Sequence, residues 1–392
     1  MKPIVIIHGA RTPMAEYNGA FTHLSEIELG AIAARGALEK SGVRPSEIDH
    51  VVFGNALQTS GQAIYGARHV GLKSGVPIGV PALTVNRLCG SGIQAIVTAS
   101  QLIQLGEADR VLAGGMENMT QAPHVIRGMR QGLRMGNAQI EDLLLVSLLD
   151  SVSGLAMAGT ADVLAKEMGI SRQEADVYAL RSQKAADAAY RGGKFTDEIV
   201  PVEVKEKKGT RLVTEDDHRR PDTTIENLAN LPPAFGTDLV TAGNASGIVD
   251  GAASVVVASE ESAAQAGLKP LGRVIGWAFV GVEPRIMGIG PVPAIRRLLE
   301  KAGLKLEEID LLEINEAFSA QYLAVEKELK LDREKVNVNG GAIALGHPLA
   351  ATGTRLVLTL LLELRRRKGR YGIASACIGG GQGGALLVEA GC

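Results

Sequence analysis

"SGVRPSEIDHVVFGN" occupies residues 41–55, and "AGLKLEEIDLLEINE" occupies residues 302–316. The two stretches are variations on one pattern. Gly42 and Gly303 lie 303 − 42 = 261 residues apart, and Glu47-Ile48-Asp49 matches Glu308-Ile309-Asp310 at the same offset. Each stretch ends in a strand candidate, Val51–Asn55 or Leu311–Ile314. Farther on, "RVLAGGMENM" is echoed more loosely by "IASACIGGGQGG". Such a spacing is far longer than the repeat of a solenoid. It implies a duplicated α/β half.

The pattern on either side agrees. The first 115 residues alternate strand and helix, with strands expected at Ile4–His8, Val51–Asn55 and Arg110–Gly115. A helix opens at Ser25, where Ser25 and Glu28 form a capping box and Leu24 and Leu29 a hydrophobic staple. A second runs from about Gly92 to Leu105 and is apolar on most faces, which implies deep burial. From about 120 to 245 the alternation stops. Helical stretches at Ala161–Glu167 and Ser171–Tyr190 are separated by polar segments such as "KEKKGTRLVTEDDHRRPDTT", which reads as a large insertion. After 246 the alternation returns: strand Ala253–Ala258, helix Val292–Ala302, strand Leu311–Ile314, helix Thr352–Lys368, then closing strands Tyr371–Ala376 and Ala385–Glu389. Two similar halves would pack as a layered α/β core, with sites near strand ends and helix starts.

Composition limits the function classes. Of 392 residues, 46% are hydrophobic and 21% charged, enough for a sizeable core. A formal net charge of −2 gives no global field to recruit nucleic acid or an anionic membrane. The one dense basic run, Arg365-Arg366-Arg367-Lys368, ends a helix before Gly369, where cations suit the helix dipole. Three cysteines (Cys89, Cys377, Cys392) cannot form a disulfide framework, and a reducing compartment fits best. The chain starts on the apolar "PIVIIHG" without a leader pattern, and no apolar run approaches the roughly 20 residues that span a bilayer. A soluble cytoplasmic protein is expected. No His/Cys/Asp cluster has metal spacing, so no metal is expected.

Four positions stand out chemically. Cys89, in "VNRLCGSGIQAIV", sits at a helix mouth flanked by Gly90, Ser91 and Gly92. It is either a small buried hydrophobe or a nucleophile whose thiolate the helix dipole favours. His347, in "NVNGGAIALGHPLAATG", is fixed between glycines and a proline, as a structural histidine or a base. Cys377 precedes "IGGGQGGA", whose Gly379, Gly381 and Gly384 formally match GxGxxG. A dinucleotide site is a weak reading, because that motif must open a helix and a strand follows here. The glycines instead suggest a tight loop with backbone N–H groups aimed at something. Asn315 and Glu316 end a strand, as site residues or a simple turn. Together they suggest acyl transfer through a thioester, with a thiolate attacking, histidine activating and N–H groups holding the oxyanion.

The matching stretches "VNRLCGSGIQAI", "GGMENM", "TAGNASGIVDGAA", "EINEAF", "NVNGGAIALGHP" and "CIGGGQGG" are spread from Val85 to Gly384, across both halves, and the chain resembles the thiolases. The resemblance implies a duplicated βαβαβαβ unit, layered α/β/α/β/α, with a loop domain inserted in the first half. The division would be 1–119 with 247–270, 120–246 (binding coenzyme A), and 271–392. It implies Cys89 as the acylated nucleophile, His347 as the proton acceptor, and Cys377 as the shuttle for the substrate α-proton. Asn315 would hold a water in one oxyanion hole; the N–H groups of Cys89 and Gly379 would form the other. For coenzyme A it points to Ser246 and Arg220, with Met157, Phe235, Met287 and Phe318 lining the pantetheine and acyl channel. Acyl-CoA is then substrate, with no tightly bound cofactor, in a dimer or tetramer. Two departures matter. Ala350 stands where the family usually has glycine after "GHPx", harmless if it lies at a helix start. Leu155-Ala156-Met157-Ala158 replaces the "YHMG" stretch of short-chain members, which implies a wider choice of acyl groups. Rival readings are a ketoacyl synthase, with a second histidine in place of Cys377, and a catalytically silent homologue that binds CoA or lipid.

Overall fold

A computed structural model describes residues 2–391, so Cys392 lies outside the described residues. The first half contains β1 (Ile4–Arg11), α1 (Glu26–Ser41), β2 (His50–Gly54), β3 (Ala82–Val85), α2 (Ser91–Leu105) and β4 (Arg110–Glu117). The chain then leaves the sheet for small hairpins and the helices α3 (Met157–Met168) and α4 (Arg172–Arg191), and returns as β5 (Val249–Ser259). The second half follows: β6 (Gly272–Gly281), α5 (Pro291–Ala302), β7 (Leu311–Ile314), α6 (Ser319–Leu329), α7 (Leu349–Arg367), β8 (Tyr371–Ile378) and β9 (Gln382–Ala390).

The strands hydrogen-bond in the order β7-β8-β9-β6-β1-β5-β4-β2-β3. From each outer edge inward the halves repeat strand for strand. β2 and β4 pair in parallel, as β7 and β8 do; β4–β5 and β8–β9 are antiparallel, and β5–β1 matches β9–β6. Val336 bridges Leu312 in parallel where the first half has β3. The starts of β4 and β8 are 371 − 110 = 261 residues apart, the offset read in the sequence. The halves meet where β1 and β6 pair at Ile4–Ile6 and Gly272–Val274.

Three apolar clusters separate the layers. One covers α1 against the first half's strands. A second, in the middle, joins α2 and α7 to strands of both halves. The third packs α5, α6, α3 and α4 on the other side of β8 and β9. The middle position explains why α2 carries apolar residues on most faces and why α7 is buried from Leu349 to Leu364. Leu88–Leu105 is also the one stretch among the described residues apolar and long enough for a membrane span. Here it is a core helix, with Ile93, Ile96, Val97 and Ile103 buried and Leu105 exposed at its C-terminal end.

α2 and α7 cross at two glycines. A Cβ on Gly92 would lie 2.4 Å from the Thr354 nitrogen, and one on Gly353 would lie 2.4 Å from the Ile93 nitrogen. Only residues without a side chain let the two backbones touch. The capping box at Ser25 forms, with the Glu28 N–H donating to Ser25 Oγ and the Ser25 N–H to Glu28 Oε2. Ala350 lies in the first turn of α7, and its φ is not positive. Its N–H donates to Glu117, so alanine is accommodated without strain. Helix α7 starts at Leu349 rather than Thr352, because Pro348 takes the extended N-cap position. Strands β3 and β6 were not expected.

Candidate active site

The crossing at Gly92 and Gly353 brings the starts of α2 and α7 together, and Cys89 and His347 just precede those starts. Cys89 sits in a single tight turn, Leu88–Gly90. Its neighbour Leu88 has φ +47°, a left-handed conformation costing a non-glycine residue about 1–2 kcal/mol. Side chains hold it there. The Leu88 N–H donates to Asn86 Oδ1 at 2.9 Å, and Ser91 Oγ donates to the Leu88 carbonyl at 2.6 Å. Stored strain of this kind clusters at functional turns.

The thiol does not rest as a thiolate, contrary to the expectation from the helix dipole. Burial pushes Cys89 up to about 11, and the charge of Glu117 adds to this, against stabilising N–H groups of Gly379 and of Cys89 itself. Desolvation outweighs the dipole, so attack needs a base.

His347 is that base by position. Nδ1 is 2.6 Å from Thr352 Oγ1, which itself donates to the Pro348 carbonyl at 3.0 Å. Thr352 therefore accepts from Nδ1–H, and Nε2 keeps its lone pair. Burial, with the positive charge of Arg355, pulls His347 down to about 3, so the ring is neutral at any working pH. Asn315 Nδ2 lies 3.3 Å from Nε2, and Asn315 Oδ1 is buried with no hydrogen-bond partner among the described residues.

Cys377 lies near the end of β8 and is fully buried. Burial, with the Cys89 sulfur beside it, pushes its thiol well above the usual range. The chain then turns through Gly380 and Gly381, with φ +75° and +83°, into β9. These glycines make a hairpin and open no helix, which disposes of the dinucleotide reading.

Cys89, His347 and Cys377 line one apolar pocket of about 140 Å³. Met157, Phe235, Ser246, Met287 and Phe318 line it too. Phe318 bridges Ala245, and the Ser246 N–H donates to the Ala317 carbonyl at 3.0 Å, so these two candidates are held by one short backbone pairing. Phe235 stands more than half exposed with φ +56°. Asn315 and Gly379 touch the site from behind, through Nε2 of His347 and through the sulfur of Cys89. Arg220 is the exception. It is outside the lining, exposed, and its guanidinium donates to Glu16 Oε1 at 2.7 Å. The same carboxylate binds His218, whose ring packs on Gly247 of the pocket wall.

Sequence reasoning missed Met119, Leu145, Leu148 and Leu349 of the lining. It also missed Glu117, buried beside the nucleophile and pushed up to about 8 by burial. An acid inside the small apolar run "AGGMENM" was the available signal, since a buried carboxylate demands donors around it. Glu316 is also fully buried, accepting from Tyr178, Ser182, Asn337 and the Ile343 N–H. Its neighbour Asn315 is thereby fixed rather than free in a turn.

Known proteins match this arrangement. The family model for the thiolase N-terminal domain matches residues 4–261, and that for the thiolase C-terminal domain matches 268–390. The mitochondrial 3-ketoacyl-CoA thiolase of Homo sapiens is 51% identical over 391 residues, covering 99% of this chain and 98% of its own. An acetyl-CoA acetyltransferase of Cupriavidus necator is 46% identical over 392 residues, covering 99% and 100%. The crystal structure of the human mitochondrial enzyme superposes with a TM-score of 0.98 at 50% identity, covering 100% of this chain and 99% of that one. The cytoplasmic expectation gains no support from that relative, whose name places it in mitochondria. The duplicated fold, the paired cysteines in one pocket and the matches along both halves lead to one conclusion: the chain belongs to the thiolase family.

Proposed function

We propose that this enzyme transfers acyl groups between coenzyme A thioesters through an acyl-Cys89 intermediate, cleaving 3-ketoacyl-CoA with CoA and, in reverse, joining two acetyl-CoA. The observation that carries it is the convergence of Cys89, His347 and Cys377 on one apolar pocket. In cleavage, His347 Nε2 takes the Cys89 proton and the sulfur attacks the 3-keto carbon. The C2–C3 bond breaks, and C2 takes a proton from Cys377, releasing acetyl-CoA. CoA then gives its thiol proton to the Cys377 thiolate and attacks the acyl-Cys89 carbonyl. The departing Cys89 sulfur recovers its proton from His347. Every proton returns to its start, and no cofactor is consumed.

The N–H groups of Cys89 and Gly379 stabilise the oxyanion that forms at the carbonyl oxygen of the Cys89-bound acyl group, and Asn315 holds a water for the other oxyanion. Ser246, Met157, Phe235, Met287 and Phe318 line the pantetheine and acyl path. Residues 120–246 form the CoA-binding insertion between the core pieces 1–119 with 247–270 and 271–392. Arg220 meets the nucleotide phosphates only by leaving Glu16. Ala156, Met157 and Ala158 border the pocket where short-chain members carry their histidine, which supports acyl groups longer than acetoacetyl. A homo-oligomer, dimer or tetramer, is supported by terminal strand β3, with Leu83 exposed on it and Ile64, Tyr65 and Ile78 exposed nearby. A ketoacyl-synthase reading is disfavoured by Cys377, where those enzymes carry histidine. Incubation with acetyl-CoA, digestion and peptide mass spectrometry should find acetyl on Cys89. Acetylation elsewhere, or nowhere, contradicts the proposal.

A further inference from the structure

Glu117 is fully buried and, among the described residues, forms no salt bridge, yet it makes four hydrogen bonds. Oε1 accepts from Asn55 Nδ2 at 3.0 Å and from the Leu57 N–H at 2.9 Å. Oε2 accepts from the Ala56 N–H at 3.2 Å and from the Ala350 N–H at 3.0 Å. These partners belong to two different places. Ala350 is in the first turn of α7, three residues after His347. Ala56 passes the connection toward Cys89: its carbonyl accepts from Asn86 Nδ2 at 3.1 Å, and Asn86 Oδ1 accepts from the Leu88 N–H at 2.9 Å. One carboxylate therefore ties the strained turn that presents the nucleophile, from the first half, to the helix start that presents the base, from the second.

We infer that Glu117 is a positioning residue for acyl transfer, holding the Cys89 turn and the His347 turn in register across the two halves. This rests on the reading of Cys89 and His347 as nucleophile and base. Two properties suit Glu117 to the task. Burial moves its titration up to about 8, and once ionised above that pH the carboxylate presents only acceptors, which all four donors need. It also lies at the N-terminus of α7, where the helix dipole favours a negative charge. Glu26, on α1, is the charged group that faces it and opposes that charge. A glutamine at 117 would turn an NH₂ group toward two of the N–H donors, and one end of the tie would open.

The test compares wild type with Glu117→Gln and Glu117→Asp. Stopped-flow acylation by acetyl-CoA, steady-state kcat and KM, and iodoacetamide labelling of Cys89 across pH are read on each. Glu117→Gln should slow acylation about 10²-fold, the cost expected when a base is misplaced by about an ångström, while KM for acetyl-CoA changes less than about threefold. Its Cys89 labelling profile should shift to lower pH, because a neighbouring negative charge is gone. Glu117→Asp keeps the charge and should leave that profile in place. If Glu117→Gln does not fold, Asn86→Ala breaks the same tie at an exposed side chain and should slow acylation at unchanged KM. Near-normal acylation in the folded variants, or an equal loss in kcat and KM with no shift in labelling, overturns the inference. Absence of acetyl-Cys89 in wild type would instead overturn the underlying assignment of the nucleophile.

Discussion

Cys89 is a weakly acidic thiol kept beside a neutral histidine. Its thiolate appears only as pH rises toward about 11, whereas an ordinary cysteine is half ionised near pH 8.5. Iodoacetamide labelling of Cys89 in the free enzyme should therefore keep climbing above pH 9, and acetyl-CoA should protect it. Cys377 should react more slowly throughout, being fully buried. A labelling rate that levels off near pH 8, mapped by peptide mass spectrometry, would show that desolvation does not govern this site. His347→Ala should slow Cys89 acylation about 10²- to 10⁴-fold, the usual contribution of a general base. Because burial pulls His347 down to about 3, its lone pair is available throughout the neutral range. The acid limb of acylation should accordingly fall well below the ordinary histidine value of 6.5. A limb centred on 6.5 in a pre-steady-state pH profile would contradict this environment.

At the scale of elements, catalysis depends on how closely α2 and α7 approach. Gly353→Ala would place a methyl against the Ile93 backbone nitrogen, which cannot move aside as a side chain can. The expected cost is about 3 kcal/mol, at the upper end for overpacking, together with loss of acyl transfer as the two helix starts separate. Ser25→Ala removes only an N-cap at the far side of α1 and should cost about 1 kcal/mol while leaving kcat unchanged. Urea unfolding with parallel assays separates the two. The elements that carry the site were the legible ones. β7 was read to its ends, and α2 and α7 were each found to within a few residues, because their apolar runs are long and bounded by glycine or proline. The missed strands lack that pattern. β3 is four residues at the sheet edge, half exposed, directly after Pro81. β6, "GRVIGWAFVG", is interrupted by glycines, with a register shift at Val274/Gly276 that spoils its alternation. The partners of Glu117 and the ion pair of Arg220 with Glu16 were illegible for another reason: both depend on residues more than fifty positions away.

For the whole molecule, duplication is what brings the groups together. Cys89 belongs to the first half, and Asn315, His347 and Cys377 to the second; all converge on the pocket or its immediate backing. The internal echo was enough to read the two halves, but not which strand would join them; that required the pairing of β1 with β6. The pocket's border at Ala156–Ala158 predicts that six- and eight-carbon 3-ketoacyl-CoA substrates retain kcat/KM within about tenfold of acetoacetyl-CoA, a difference below about 1.4 kcal/mol. A fall of about 10³-fold from four to six carbons would mark a pocket closed to longer chains.

The division of labour between the two cysteines is tested most directly with Cys377→Ala. An acylated thiol can no longer act as a base, so condensation needs a second group for the α-proton of acetyl-CoA. Mixed with acetyl-CoA in deuterated water, the variant should still form acetyl-Cys89, visible in the intact mass. It should also return acetyl-CoA with its methyl protons unexchanged and complete neither condensation nor thiolysis, whereas wild type exchanges them. A variant that cannot be acylated, or that exchanges those protons at the wild-type rate, would contradict the account.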